Sequence, residues 1–151
     1  MTDEAKEYEG FIDFGQDTDD IHEPQPVPTG AYDLTVESAK AIYEDDGAGN
    51  RVMTKVRVMI VFDGQQNAAT MFHNIPLPKA ADEKKSKDYK IILAKKFYKL
   101  FGVPMAKNGI NTTDLIGARA TQAFVELDSY DKGDGMPPRI SNKLNLNNIH
   151  V

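Results

Sequence analysis

The stretch RVMTKVRVMIVF, Arg51–Phe62, decides how this chain folds. Val52, Thr54, Val56, Val58, Ile60 and Phe62 fall on one side of an extended backbone, and Arg51, Met53, Lys55, Arg57 and Met59 on the other. That period of two marks a strand with one face in a core and the other in water. Upstream, Gly30 opens AYDLTVESAKAIY, where Tyr32, Leu34 and Val36 alternate with Asp33, Thr35 and Glu37. Between the two lies EDDGAGN (44–50), a polar turn rich in glycine. Downstream, DGQQN (63–67) is a second turn, and AATMFHNI leads a third strand to Pro76. Three strands on short turns predict an antiparallel meander.

Beyond the meander the period changes. Over 83–101, Tyr89, Leu93, Phe97, Leu100 and Phe101 form a stripe at helical spacing. Lys84, Lys95 and Lys99 lie opposite, flanked by Lys85 and Lys96, and Gly102 then Pro104 are stop signals. A loop over 103–113 follows. Two more strands, ARATQAFVELD (118–128) and RISNKLNLNNI (139–149), enclose YDKGDGMPP (130–138), a hairpin-type loop. Three strands, a helix and two strands is the chain order of the OB-fold, a five-stranded Greek-key barrel. The expected class is therefore mainly β and OB-fold-like over residues 30–151, with a helix between strands three and four. An α+β sheet with one covering helix is the alternative.

Residues 1–29 read as a separate acidic, proline-containing arm. HEPQPVP (22–28) places three prolines close together, which excludes a helix or a central strand. Phe11, Ile12 and Phe14 make an apolar knot suited to docking on the body or on a partner. Residues 1–24 hold nine acids (Asp3, Glu4, Glu7, Glu9, Asp13, Asp17, Asp19, Asp20 and Glu23) against Lys6 alone, a local charge of −8. The whole chain has 23 acids and 18 bases, so the other 127 residues keep 14 acids and 17 bases, or +3. The net −5 hides a mildly basic body behind an acidic leader.

Several classes are excluded or disfavoured. With 151 residues and 40% hydrophobic content the chain suits one domain. No run approaches the roughly 18 apolar residues of a membrane span, and the acidic start does not resemble a signal peptide. The absence of cysteine removes thiol nucleophiles, thiolate metal sites and disulfides. His22, His73 and His150 lie far apart, and neither H-E-x-x-H, G-x-S-x-G nor a Walker loop is present. Asp45 and Asp46 precede glycines but lack the terminal Glu of a calcium loop. A cytosolic non-enzyme without cofactor or metal is the expectation.

Single-strand binders join a positive groove to aromatic platforms, each stacked base contributing roughly 1–3 kcal/mol. Arg51, Lys55 and Arg57 share the outward side of the second strand, with Met53 and Met59 between them. Phe72 or His73 joins them, depending on register. Arg119 on the fourth strand, and Arg139 with Lys143 on the fifth, point outward by the same alternation. Tyr43 and Tyr130 stand at loop edges, where OB-folds commonly hold ligands. Such cations are also ordinary on any wet strand face, and a phenylalanine is ordinary in a core.

The chain resembles short phage proteins of the OB-fold single-stranded-DNA-binding class. The resemblance runs over about 27–149. It is carried by VPTGAY (27–32), the second strand ending in Val61 and Phe62, FHNIPL (72–77), LFGVP (100–104), DLIG (114–117) and VEL (125–127). It implies sequence-independent coating of single-stranded DNA in replication or recombination, in the cytoplasm of a bacterial host. It also implies a possible homo-oligomer, with replication or recombination proteins as further partners through the acidic arm. Members often carry acids at the C-terminal end; here residues 1–24 would take that role. With no tryptophan, stacking falls to Tyr and Phe. Two other readings stand beside it: a module that binds a host replication or defence protein, and a metal-dependent nuclease.

Overall fold

A computed structural model describes residues 10–151 of the chain, so the part of the acidic leader before Gly10 lies outside the described residues. The fold is mainly β. Five strands, β1 (Gly30–Asp45), β2 (Arg51–Phe62), β3 (Met71–Pro76), β4 (Arg119–Tyr130) and β5 (Arg139–Leu144), accompany one helix, α1 (Lys84–Leu100), between β3 and β4. They form one open antiparallel sheet in the order β3-β2-β1-β4-β5. The meander expected from the first three strands is present. β3 and β5 are the two edges of the sheet, yet they approach each other closely in space.

The bending that brings the edges together starts in β1. Val36 faces Ile60 and Ser38 faces Met59, so Glu37 is an extra residue on β1. Such a bulge bends and twists the strand that carries it. It also reverses the alternation: Leu34 and Val36 point inward before it, and Ala39 packs on the core after it. The core is drawn from every strand. Leu34, Val58, Ile60, Ile75 and Val125 are fully buried, with Val36, Val56, Met71, Ala120 and Ala123 beside them.

α1 covers this core through Ala94, Phe97 and Tyr98, and Phe101 follows at its C-cap. Spacings of three and four place these on one stripe. Full burial of Phe97 contributes about 1.5–3 kcal/mol. The stripe expected from sequence included Tyr89, which is instead 61% exposed, because nothing in the helix before Ala94 is buried. Tyr98 takes the inward place. Its hydroxyl donates to the carbonyl of Asn111 at 3.0 Å, giving a buried tyrosine its polar partner. Burial, and then the charge of Asp114, push that phenol up to about 12.

Two strands are shorter than the alternation implied. β5 ends at Leu144 because the Asn145 side chain caps a turn, accepting from the Asn147 N–H at 2.8 Å. β3 begins only at Met71, since the chain before it is bound to the arm. Gln25 pairs in parallel with Ala68: its N–H donates to the Asn67 carbonyl at 2.9 Å, and its carbonyl accepts from Ala69 at 2.8 Å. Two residues on, Val27 is 6% exposed and belongs to the core. The Asn142 side chain on β5 holds it from both sides, accepting from the Val27 N–H and donating to its carbonyl, each at 2.8 Å. Thr29 then accepts from the Leu127 N–H at 2.9 Å. Residues 25–29 thus strap the two edges of the sheet together, the last part of what sequence marks as the arm.

Candidate nucleic-acid interface

The register fixes what the outer side of the meander presents. Ser38, Met59 and Phe72 form one row across β1, β2 and β3; Lys40, Arg57 and Asn74 form the next; Ile42, Lys55 and Pro76 the third. Six of these residues, Ser38, Lys40, Ile42, Arg57, Met59 and Phe72, line an open groove of about 300 Å³. Phe72 is 44% exposed, and the Arg57 guanidinium lies over its ring at 4.3 Å. This cation–π contact at a wet site contributes about 0.5–1 kcal/mol. A flat apolar surface and a positive charge therefore meet in one groove.

The same register settles the choice between Phe72 and His73. Phe72 turns out to solvent, while His73 turns in and stacks on Phe97, with ring centres 4.9 Å apart and planes 10° from parallel. Burial lowers the His73 pKa to about 4, so the imidazole is neutral at pH 7.

Beyond the groove, Arg51 lies at the mouth of the β1–β2 hairpin opposite Asp45, and Tyr43 lies opposite Met53, both about half exposed. Six residues at about 3.3 Å each put Arg51 roughly 20 Å from Arg57 along β2. Lys55 is 3.5 Å from Glu44. An exposed pair of this kind is worth about 0–1 kcal/mol and yields readily to another anion.

The remaining candidate residues are not gathered into the groove. Arg119 faces Thr35 at the far end of the same side and is bound to Asp63 at 3.0 Å. The Thr35 hydroxyl, and then Arg119, hold the Asp63 carboxyl below its usual range. Lys143 sits opposite Glu126 on the β4–β5 pair, 3.6 Å from its carboxylate. Arg139 and Tyr130 face each other at the end of the same pair, and Arg139 also borders the arm at Glu23 and Pro24. β4 pairs with β1 at the Gly30 end and runs past it, so Tyr130 and Tyr43 stand at opposite ends of β1. Among the described residues, Arg51 and Arg139 take part in no ion pair.

Sequence reading missed Lys40, Ser38 and Ile42 as groove residues. Straight alternation from Val36 would put all three inside; the bulge at Glu37 turns them out. The signal was Lys40 itself, a charge at an inward position that demands a change of phase.

Among the described residues, no group of three or more His, Asp and Glu is placed to hold a metal ion, and no helix is long and apolar enough to cross a membrane. Compared with known proteins, the chain matches no family model and no curated protein sequence.

Proposed function

We propose that this chain is a non-catalytic protein that binds single-stranded DNA without strong sequence preference, on the outer face of β1, β2 and β3. The observation that carries the reading is the Arg57–Phe72 pair in a groove walled by Lys40, Ile42 and Met59. A base entering the groove stacks on Phe72, and the displaced guanidinium moves to the phosphate that arrives with it. Lys55 extends the positive track along β2, while a second bulge, at Thr54, turns Tyr43 and its partner Met53, and Asp45 and its partner Arg51, to the other face of the hairpin. Arg119, Arg139, Lys143 and Tyr130 flank this path rather than form it.

The fold reading that accompanies this is an OB-like Greek-key barrel. The spatial order β3-β2-β1-β4-β5, the helix after β3 and the close approach of the edge strands support it. Coating of single strands in replication or recombination, in the cytoplasm of a phage-infected bacterium, is the corresponding role.

The test is fluorescence anisotropy with a labelled oligothymidine of about 30 nucleotides, long enough for two sites at roughly 4–16 nucleotides per OB-fold. The expected result is tight, salt-sensitive binding to the single strand and weak binding to the matching duplex. Binding to neither, by folded protein at low salt, overturns the proposal and leaves a protein partner as the occupant of this face.

A further inference from the structure

A second groove lies at the far end of β3, where Pro76 forms part of its wall. Leu77, Ile91, Met105 and Ile110 line it, between α1, the segment entering α1 and the loop after it, with a volume of about 390 Å³. Lys95 and Lys107 complete its wall. Ile91 is 42% exposed on a helix that carries many lysines.

The arm has the opposite character. Phe11, Ile12 and Phe14 are 85, 64 and 75% exposed. They stand among Asp13, Asp17, Asp19, Asp20 and Glu23. The backbone around the knot is locally shaped, because Asp13 accepts from the Gly15 N–H at 2.8 Å and Asp17 caps the turn at Thr18–Asp20. Apolar side chains set among carboxylates match an apolar groove set among lysines.

The direction of the arm at its root bears on whose groove it meets. Gln25 pairs with Ala68 in parallel, so the arm at its root runs the same way as the chain entering β3. Going back from Gln25 toward Gly10, the chain therefore leaves past the start of β3. The groove lies at the other end of β3, beyond Pro76. At its root the arm heads away from its own groove, and residues 10–25 are all exposed.

We infer that residues 10–23 of one chain dock in the α1 groove of a second copy, with Phe11 and Phe14 as anchors and Lys95 and Lys107 facing the acids. Arm and groove are different surfaces of one chain, so the contact is heterologous and joins subunits head to tail. An acidic arm held by a neighbour's lysines is also kept off the basic face of β2.

The absence of cysteine allows a clean test without nucleic acid, so its outcome is independent of DNA binding. The full-length variants Gln16→Cys and Asn108→Cys, at exposed positions that keep both anchors and the apolar lining, are mixed and oxidised with diamide. The mixed disulfide is expected to form in large excess over either homodimer. Adding Phe11→Ala to the arm variant is expected to weaken docking about tenfold, the effect of withdrawing one buried phenylalanine. Lys95→Glu with Lys107→Glu in the groove variant is expected to suppress the mixed species. A statistical mixture of the three dimers overturns the proposal. So does an intramolecular disulfide in the Gln16→Cys/Asn108→Cys double variant with no mixed dimer from the single variants, since the arm then occupies its own groove.

Discussion

The sharpest consequence of the β2 face concerns salt. Each phosphate neutralised on a single strand contributes about 0.7 to the slope of log affinity against log salt. Replacing Lys40, Lys55 and Arg57 together by Ala removes three such contacts and should lower the slope by about 2. Between roughly 50 and 200 mM salt, the unaltered protein should then lose about 20-fold more affinity than the variant. The fold should tolerate the change. All three side chains stand on the outer face of β1 and β2, the Lys55–Glu44 pair is worth about 0–1 kcal/mol, and the Arg57–Phe72 contact about 0.5–1 kcal/mol. The assay is anisotropy titration of oligothymidine over a salt series, with urea unfolding to confirm stability. The double variant Arg139→Ala/Lys143→Ala, on the β4–β5 pair, is the control and should change the slope by less than about 0.7, one phosphate. An unchanged slope in the triple variant, or a fall only in the control, would falsify the assignment of this face.

Three further outcomes follow from particular contacts. Phe72→Ala should cost about 1–3 kcal/mol of single-strand affinity, the worth of one stacking platform, while the urea midpoint moves little because the ring is 44% exposed; equal affinity would refute the platform role. His73 has a folded pKa of about 4 against an unfolded value near 6.5, so the unfolded state binds the extra proton. The stability it contributes is present above pH 6.5 and lost as pH falls toward 4, by roughly 3 kcal/mol, and urea titrations of His73→Phe should lack that part of the acid loss. Removing residues 1–23 should leave thermal stability unchanged, whereas removing 1–29 also withdraws buried Val27 and two hydrogen bonds of Asn142. The longer deletion should cost several kcal/mol, about 1.5–3 for Val27 and about 0.5–1.5 for each of the two hydrogen bonds that Asn142 loses, its amide still donating to the Glu126 carbonyl at 3.3 Å; equal melting curves for the two truncations would refute the strap.

Much of the fold was legible because the strongest signals are local. β2 alternates from Lys55 to Phe62 in the structure as in the sequence, since inward Val56, Val58, Ile60 and Phe62 have only one core to face, and a bulge at Thr54 breaks the phase before it. The turns 44–50 and 63–67 carry glycines at positive φ, at Gly47, Gly49 and Gly64, where other residues are strained. What sequence could not show depends on distant partners. Val27 lies in a proline-rich stretch with no period, and only Asn142, 115 residues away, makes it a core residue. Tyr89 and Tyr98 are equally plausible on a helical wheel, and the choice between them rests on where the sheet lies beneath α1. For the site, Arg57 and Phe72 were each readable, but their meeting required the β2–β3 register, which places Met59 opposite Phe72 and Arg57 one row along.

The charge of the chain makes the same point about distribution. A net −5 taken alone argues against a polyanionic partner. The groove senses only its surroundings, since charges further away than about 8–10 Å are screened at physiological salt. Within its rows stand Lys40, Lys55 and Arg57, with Glu44 the one acid among the described residues paired to any of them. The acids that set the sign of the whole protein are concentrated in an arm whose root runs along the strap at Gln25, on the opposite edge of β3 from β2. An arm tethered there lowers the net charge without neutralising the β2 face. Whether it stays clear of that face depends on where its apolar knot is held, so docking of the arm and access of DNA to Arg57 and Phe72 are linked through one short segment.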